Sequence, residues 1–125
     1  MSLQVKAVEK KAGFFEVSVA GRLDTSTYTQ LENQLKMLMP SASAIVLEMG
    51  LLDYISSMGL RVIFKATKDM KAKNGVFMMS GMQPQIKKVF EIANALEKES
   101  VFLSVDEADK YFQAMQEKVK REQGL

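Results

Sequence analysis

The chain has 125 residues, of which 47% are hydrophobic and 26% charged, and its net charge is +2. These values indicate a single domain (1–125, core about 4–119, polar tail 120–125) without strong attraction to nucleic acid or an anionic membrane. No apolar stretch reaches the roughly 18 residues that span a bilayer, and there is no signal-peptide pattern. We therefore expect a cytoplasmic protein without membrane insertion, which the absence of cysteine also suits.

Several kinds of catalytic site are excluded by composition. The chain has no histidine and no cysteine, which removes the usual zinc sites, cysteine nucleophiles and Ser-His-Asp triads. Neither a Gly-x-x-x-x-Gly-Lys nor a Gly-x-Gly-x-x-Gly phosphate loop occurs. We therefore expect no catalytic residues, no metal and no cofactor, and we do not expect an enzyme.

The N-terminal third predicts a hairpin followed by a helix. Gln4–Val8 is a candidate edge strand, Lys10–Gly13 is a turn, and Phe15–Val19 alternates apolar and polar residues as a half-solvated strand does. Asp24 or Thr25 is a suitable N-cap for the helix that follows. The predicted apolar face of that helix comprises Tyr28, Leu31, Leu35 and Leu38.

The middle of the chain passes from a strand into a helix at two serines. Ala44–Leu47 is unbroken apolar sequence, which predicts a strand buried on both faces. Ser56 and Ser57 lie at the predicted helix start, where backbone N–H groups are free and the helix dipole is positive. A hydroxyl there can cap the helix or carry a phosphate. The predicted apolar helix face comprises Leu60, Ile63, Phe64, Thr67 and Met70.

The last third predicts two further strands, each followed by a helix. Lys73–Gly75 reads as a helix stop with glycine near C′, and Val76–Met79 as an apolar strand. Pro84 fits a first helical turn, and Val101–Leu103 is a short strand. Ser104 matches a capping box for the final helix, and the chain is expected to fray from Gln116 onward. The predicted core includes Met78, Met79, Ile86, Val89, Phe90 and Ala93; Met82 is assigned to the same cluster, with exposure near Met58 as the alternative.

The order of elements indicates an α/β fold. It reads β-β-α-β-α-β-α-β-α, which predicts a mixed four- or five-stranded sheet flanked by about four helices, joined largely by right-handed crossovers.

Three segments resemble the STAS domain family, named for sulfate transporters and anti-sigma factor antagonists. They are Gly21–Asp24, Ile45–Arg61 and Pro84–Leu96, within a resemblance that covers about Phe14–Met115. The most specific part is the strand followed by Tyr-Ile-Ser-Ser-x-Gly-Leu-Arg. The resemblance implies a STAS (anti-sigma factor antagonist-like) fold, in agreement with the element order.

The function that this resemblance implies is partner switching. A stand-alone bacterial antagonist binds an anti-sigma factor that is also a serine kinase, and so regulates sigma-factor-dependent transcription. Phosphorylation of a serine at the head of the central helix ends the binding, and a phosphatase, as a second partner, restores it. A monomer or weak dimer without direct nucleic-acid binding is expected. The implied partner-binding residues are Asp24, Ser56, Ser57, Met58, Gly59 and Arg61.

The chain departs from the family pattern at the phosphate acceptor. Aligned with Asp-Ser-Ser-Gly-Leu-Gly, Met58 stands in the acceptor position and Ser56 replaces the aspartate. The phosphorylation candidates are therefore Ser57 and Ser56, and the alternative is that the pair only caps the helix. Met58 also favours a second function, a non-phosphorylated STAS subunit of a larger signalling or lipid-transport complex. A small-molecule sensor is a third class, without a motif to support it.

A row of basic side chains follows Arg61 along the same predicted helix, at Lys65, Lys68 and Lys71. A solvated face is the ordinary meaning of such a row, and an acidic partner surface is the alternative. No aromatic residues interleave with the lysines as they do in a nucleic-acid stacking platform.

Overall fold

The computed structural model of this chain describes residues 2–96 and 105–124. The predicted strand Val101–Leu103 and the predicted cap Ser104 lie outside the described residues. The described elements, in chain order, are β1 (Leu3–Lys11), β2 (Phe14–Leu23), α1 (Tyr28–Leu38), β3 (Ala44–Ile55), α2 (Ser57–Ala72), β4 (Val76–Ser80), α3 (Pro84–Leu96) and α4 (Val105–Glu122).

The strands form one mixed sheet in the order β1-β2-β3-β4. β1 and β2 are an antiparallel hairpin, as predicted, with Val5 opposite Val19. β2, β3 and β4 run parallel, with Val17 opposite Leu47 and Leu47 opposite Met79. Four described helices connect or follow these strands, which confirms the predicted α/β class.

β3 is buried on one face, so the prediction of burial on both faces is wrong. Ile45 and Leu47 are fully buried, whereas Val46 and Glu48, which alternate with them, are only half-buried. The reason is that α1, α2, α3 and α4 all contribute to the same hydrophobic cluster, on the Ile45 side of the sheet. The face that carries Val46 is left partly open to solvent.

α1 and α3 bury the faces that the apolar spacing predicts, but β4 does not join the core throughout. Leu31 and Leu35 of α1 are buried, and Pro84 is the first residue of α3. Successive side chains of a strand point to opposite faces of the sheet. Because β4 lies beside β3 in the same sheet, only alternate side chains of β4 pack on the core. Met78 is 49% exposed, so its predicted place in the core is wrong, while Met79 and Met82 pack against it.

Within residues 2–96 and 105–124, no helix is long and apolar enough to cross a membrane. In the same residues, no group of three acidic side chains is arranged so that it could hold a metal ion.

Candidate functional site

The candidate site lies where β2 and β3 end and α2 begins. Ser56 follows β3 directly, and its N–H donates to the carbonyl oxygen of Leu23 at the end of β2 (2.9 Å). This bond draws the two strand ends together beneath the first turn of α2. The predicted serine pair is therefore at the carboxyl edge of the parallel strands, the edge where α/β sheets commonly bind ligands.

Ser56 is the N-cap of α2. Its backbone is extended (φ −99°, ψ 174°), its Oγ accepts from the N–H of Gly59 at 3.4 Å, and its carbonyl oxygen accepts from the N–H of Leu60 at 3.0 Å. The residue is only 1% exposed. The structure therefore gives Ser56 the capping role, and direct contact between its side chain and a partner does not fit this burial.

Gly59 is buried for a packing reason. A Cβ atom at this position would lie 2.7 Å from Cγ of Leu23 and 3.0 Å from Cγ1 of Ile55. Only glycine therefore lets α2 approach the ends of β2 and β3 this closely. Gly59, like Ser56 a predicted partner-binding residue, is buried in this structure.

Ser57 is the first residue of α2 and is half-buried. Its N–H donates to Oδ1 of Asp109 on α4 at 2.8 Å. Its Oγ is buried and has no hydrogen-bond partner among residues 2–96 and 105–124. The predicted candidate acceptor is thus placed at the head of the helix, but in this conformation its hydroxyl oxygen is covered.

Asp24 organises the loop between β2 and α1 without being the N-cap, which is Thr27. Oδ1 of Asp24 accepts from the N–H and Oγ of Ser26 (3.0 and 2.8 Å) and from Oγ1 of Thr27 (3.2 Å). Asp24 therefore forms a turn one step before the helix, which corrects its predicted capping position. Burial acts to raise the pKa of Asp24, but these hydrogen bonds and nearby Arg22 outweigh it and lower the pKa.

Arg22 and Tyr54 form a second contact beside this loop. The Arg22 guanidinium lies 4.0 Å from the centroid of the Tyr54 ring, and its Nε is 3.5 Å from Oδ2 of Asp24. Burial raises the pKa of the Tyr54 hydroxyl, and the charge of Asp109 raises it further. The cation thus lies between an aromatic face and a carboxylate, which fixes the end of β2 next to the candidate site.

α4 contributes residues to this site that the sequence prediction missed. The amide of Gln116 binds the backbone of Ile55 twice, accepting from its N–H (3.1 Å) and donating to its carbonyl oxygen (2.7 Å). Gln116 is 1% exposed, so the prediction that the chain frays from this residue is wrong. The signal was its spacing, since Asp109 and Gln116 fall on the same helix face as buried Phe112.

Two glutamines near the start of α3 support the same strand. β4 pairs with β3 only as far as Glu48. Beyond that point, Nε2 of Gln83 donates to the carbonyl oxygen of Gly50 (2.9 Å), and Nε2 of Gln85 donates to that of Asp53 (3.0 Å). Side-chain amides therefore satisfy the backbone of β3 where a strand no longer can.

The solvent-facing side of α2 extends the site away from the buried serines. We define the α2 surface as the side chains that lie on this side of the helix. Met58 is half-buried, Arg61 is exposed, and Phe64, predicted on the apolar face of the helix, is 39% exposed. Lys65 pairs with Asp69 at 2.9 Å. The α2 surface comprises Met58, Arg61, Phe64, Lys65 and Lys68.

Sequence comparison identifies relatives of this chain. The model of the STAS domain family matches residues 6–108. A protein of Bordetella bronchiseptica named "Putative anti-sigma factor antagonist BtrV" is 31% identical over 90 residues, which are 71% of this chain and 78% of that protein.

Solved structures show the same fold. An anti-sigma factor antagonist from Mycobacterium paratuberculosis superposes with a TM-score of 0.65 at 18% identity, over 90% of this chain and 95% of that one. The Bacillus cell fate determinant SpoIIAA in its phosphorylated form superposes with a TM-score of 0.63 at 15% identity, over 71% of this chain and 82% of that one. Since the family model covers most of the chain, this protein belongs to the STAS domain family.

Proposed function

We propose that this protein is an anti-sigma factor antagonist, a binding protein without catalytic activity that captures a kinase-type anti-sigma factor in the cytoplasm. The observation that carries the proposal is the 31% identity to a relative named as such an antagonist, across most of both chains. The resemblance of the sequence around Ser56 and Ser57 to the antagonist pattern supports the same function.

The binding surface in this proposal is the α2 surface together with Asp24. Arg61, Lys65 and Lys68 provide positive charge around the apolar side chains of Met58 and Phe64. A mixture of apolar anchors and surrounding charge is typical of protein–protein interfaces. The partner face should therefore be acidic around an apolar centre, because opposite charges steer association and exclude wrong partners.

Ser57 is the phosphate acceptor in this proposal. The partner kinase would transfer the terminal phosphoryl group of ATP to Oγ of Ser57, with release of ADP and of the hydroxyl proton. A phosphoserine carries about −1.5 to −2 charges at neutral pH. That charge would lie beside Met58 and Arg61 at the edge of the binding surface, and a partner fitted to a neutral hydroxyl would be repelled.

The test of binding is capture of the partner from the source cells on the immobilised full chain. We expect an ATP-binding anti-sigma factor to be recovered by the parent protein. The variant Arg61→Glu should bind it at least about tenfold more weakly, because reversing a charge in an interface opposes complementary potentials. Lys87→Glu is the matched control, since Lys87 is an exposed lysine on α3, outside the α2 surface. Failure to recover such a protein, with or without phosphatase treatment, would contradict the proposal.

The test of switching is the intact mass of the chain after incubation with that kinase and ATP. We expect the mass of one phosphate to be added to the parent protein and not to Ser57→Ala. Ser56→Ala should still be modified, because Ser56 is the buried cap.

Two features favour a second function. Met58 stands in the family acceptor position, and the hydroxyl oxygen of Ser57 is buried. Both features suit a STAS subunit that is held permanently in a larger signalling or lipid-transport complex and is never phosphorylated. An unmodified mass after incubation with the captured kinase, together with stable co-purification of other subunits, would favour this alternative.

A further inference from the structure

The backbone of the candidate acceptor is bound by another part of the same chain, α4. Asp109 of α4 accepts from the N–H of Ser57 at 2.8 Å and from Oγ1 of Thr25 at 3.4 Å. Asp109 thus joins the head of α2 to the loop before α1. A helix normally leaves its first N–H groups without an internal partner. Here a carboxylate from α4 binds one of them, in the place where a free anion would bind.

A second attachment lies two helical turns further along α4. Gln116 is seven positions after Asp109, which is about 10 Å along a helix, and its buried amide binds both backbone groups of Ile55. Lys120 adds a third contact, with its Nζ 2.7 Å from Oδ1 of Asp53. α4 is therefore fixed across the end of β3 and the beginning of α2.

We propose that α4 is a latch over the candidate acceptor. While Asp109 and Gln116 keep their contacts, Oγ of Ser57 stays covered, and it becomes reachable only when α4 lifts from the head of α2. Asp109, in the N-terminal half of α4, is half-buried and so more open to competing water than fully buried Gln116. The opening therefore begins at the N-terminal half of α4.

The latch and a phosphate on Ser57 exclude each other. Asp109 and a phosphoserine would both need the N–H groups at the head of α2, and two anions at hydrogen-bond distance repel. A phosphorylated chain would therefore hold the N-terminal half of α4 away from α2. This regulatory meaning rests on the proposed function, whereas the latch itself can be tested on the isolated chain.

Because the chain has no cysteine, a single thiol can be introduced at position 57. Its reaction rate reports how often this position becomes reachable. In Ser57→Cys, we expect a neutral maleimide to react at least about tenfold more slowly than in Lys68→Cys, which carries its thiol on the exposed side of α2, because reaction must wait for local opening. Adding Gln116→Ala to Ser57→Cys should raise the rate at least about fivefold, because it removes an attachment of α4 without changing charge.

Gln113→Ala is the matched control, because Gln113 is an exposed glutamine on the same helix. It should leave the labelling rate of Ser57→Cys unchanged. The latch is refuted if Ser57→Cys reacts as fast as Lys68→Cys, or if the Gln116→Ala and Gln113→Ala backgrounds give the same rate.

A second measurement applies if Gln116→Ala does not fold. Amide hydrogen exchange at Ser57 should be at least about tenfold faster in Asp109→Asn than in the parent protein, because the charged acceptor is lost. Asp106→Asn is the control, since the Asp106 carboxylate pairs with Lys110 on the exposed side of α4. Equal exchange in all three proteins would overturn the latch. None of these measurements needs a partner. If the thiol of Ser57→Cys is protected as expected but no kinase is captured, the latch stands and only the proposed function is refuted.

Discussion

The two halves of β3 are stabilised along one edge by different chemical groups. In the first half, residues 44–48, the backbone pairs with β2 on one side and β4 on the other. In the second half, residues 50–55, β2 continues, but the place of β4 is taken by the amides of Gln83, Gln85 and Gln116. A backbone ladder accepts many side chains, whereas this edge requires glutamine at particular positions. The second half, which leads into the candidate site, therefore depends on sequence more closely.

The largest expected loss of stability comes from a core substitution in the first half of β3. Leu47 is fully buried, and Leu47→Ala should lower the free energy of unfolding by about 2–5 kcal/mol through lost burial and a cavity. Urea unfolding measures the loss. Val46→Ala is the control. The side chain of Val46 points to the half-open face, so this variant should lose clearly less unfolding free energy than Leu47→Ala. Equal losses would contradict the one-sided burial of β3.

The next largest effect is expected in the second half. Gln116→Leu keeps an apolar stem but leaves the N–H and carbonyl of Ile55 without their partner, which should cost about 2–4 kcal/mol of unfolding free energy. Gln113→Leu, an exposed glutamine on the same helix, should change stability by less than about 0.5 kcal/mol. If the two variants were equally stable by urea unfolding, the amide of Gln116 would not be substituting for a strand.

A smaller effect is expected nearer the junction of the two halves. In partly buried positions, Nε2 of Gln83 donates to the carbonyl of Gly50, and its Oε1 accepts from Nε2 of Gln85 at 2.8 Å. Gln83→Ala should therefore cost about 1–3 kcal/mol, the usual net value of two hydrogen bonds. The same unfolding measurement should rank it below Gln116→Leu. A reversed order would mean that the edge is held mainly near Gly50.

The smallest effect is a pH dependence at the carboxyl edge of the sheet. The pKa of Asp24 is lowered from its ordinary value of 3.8 in the folded protein. Its ionised form therefore stabilises the fold above about pH 4, and this stability is lost as the pH falls through the lower folded pKa. Thermal unfolding between pH 6 and 2, in steps of about one unit, should show a steeper acid loss for the parent than for Asp24→Asn. Parallel curves would contradict this assignment.

The order of elements could be predicted because it depends on local patterns. The alternation in Phe15–Val19 and the helical spacing of Leu31 and Leu35 are visible within a few residues, and both predictions are confirmed. The burial of β3 could not be predicted in the same way. A run such as Ala44–Leu47 has the same composition whether helices cover one face of its sheet or both, and that depends on where distant helices pack.

The details of the site depend on contacts between distant residues. Ser57 meets Asp109 across 52 positions, and Ile55 meets Gln116 across 61, so no local motif records either pair. Capping by Ser56 was within reach of the sequence, because the N-cap preference for serine is local. The covered hydroxyl of Ser57 was not.

The 61-position separation between Ile55 and Gln116 also has a consequence for synthesis on the ribosome. At about 5–20 residues per second, Ile55 would be translated roughly 3–12 s before Gln116. During that time the growing chain would have a strand with an unfinished edge, open to pairing with a neighbouring nascent chain. Chaperones that shield such edges should matter most for this protein before its last helix has left the exit tunnel.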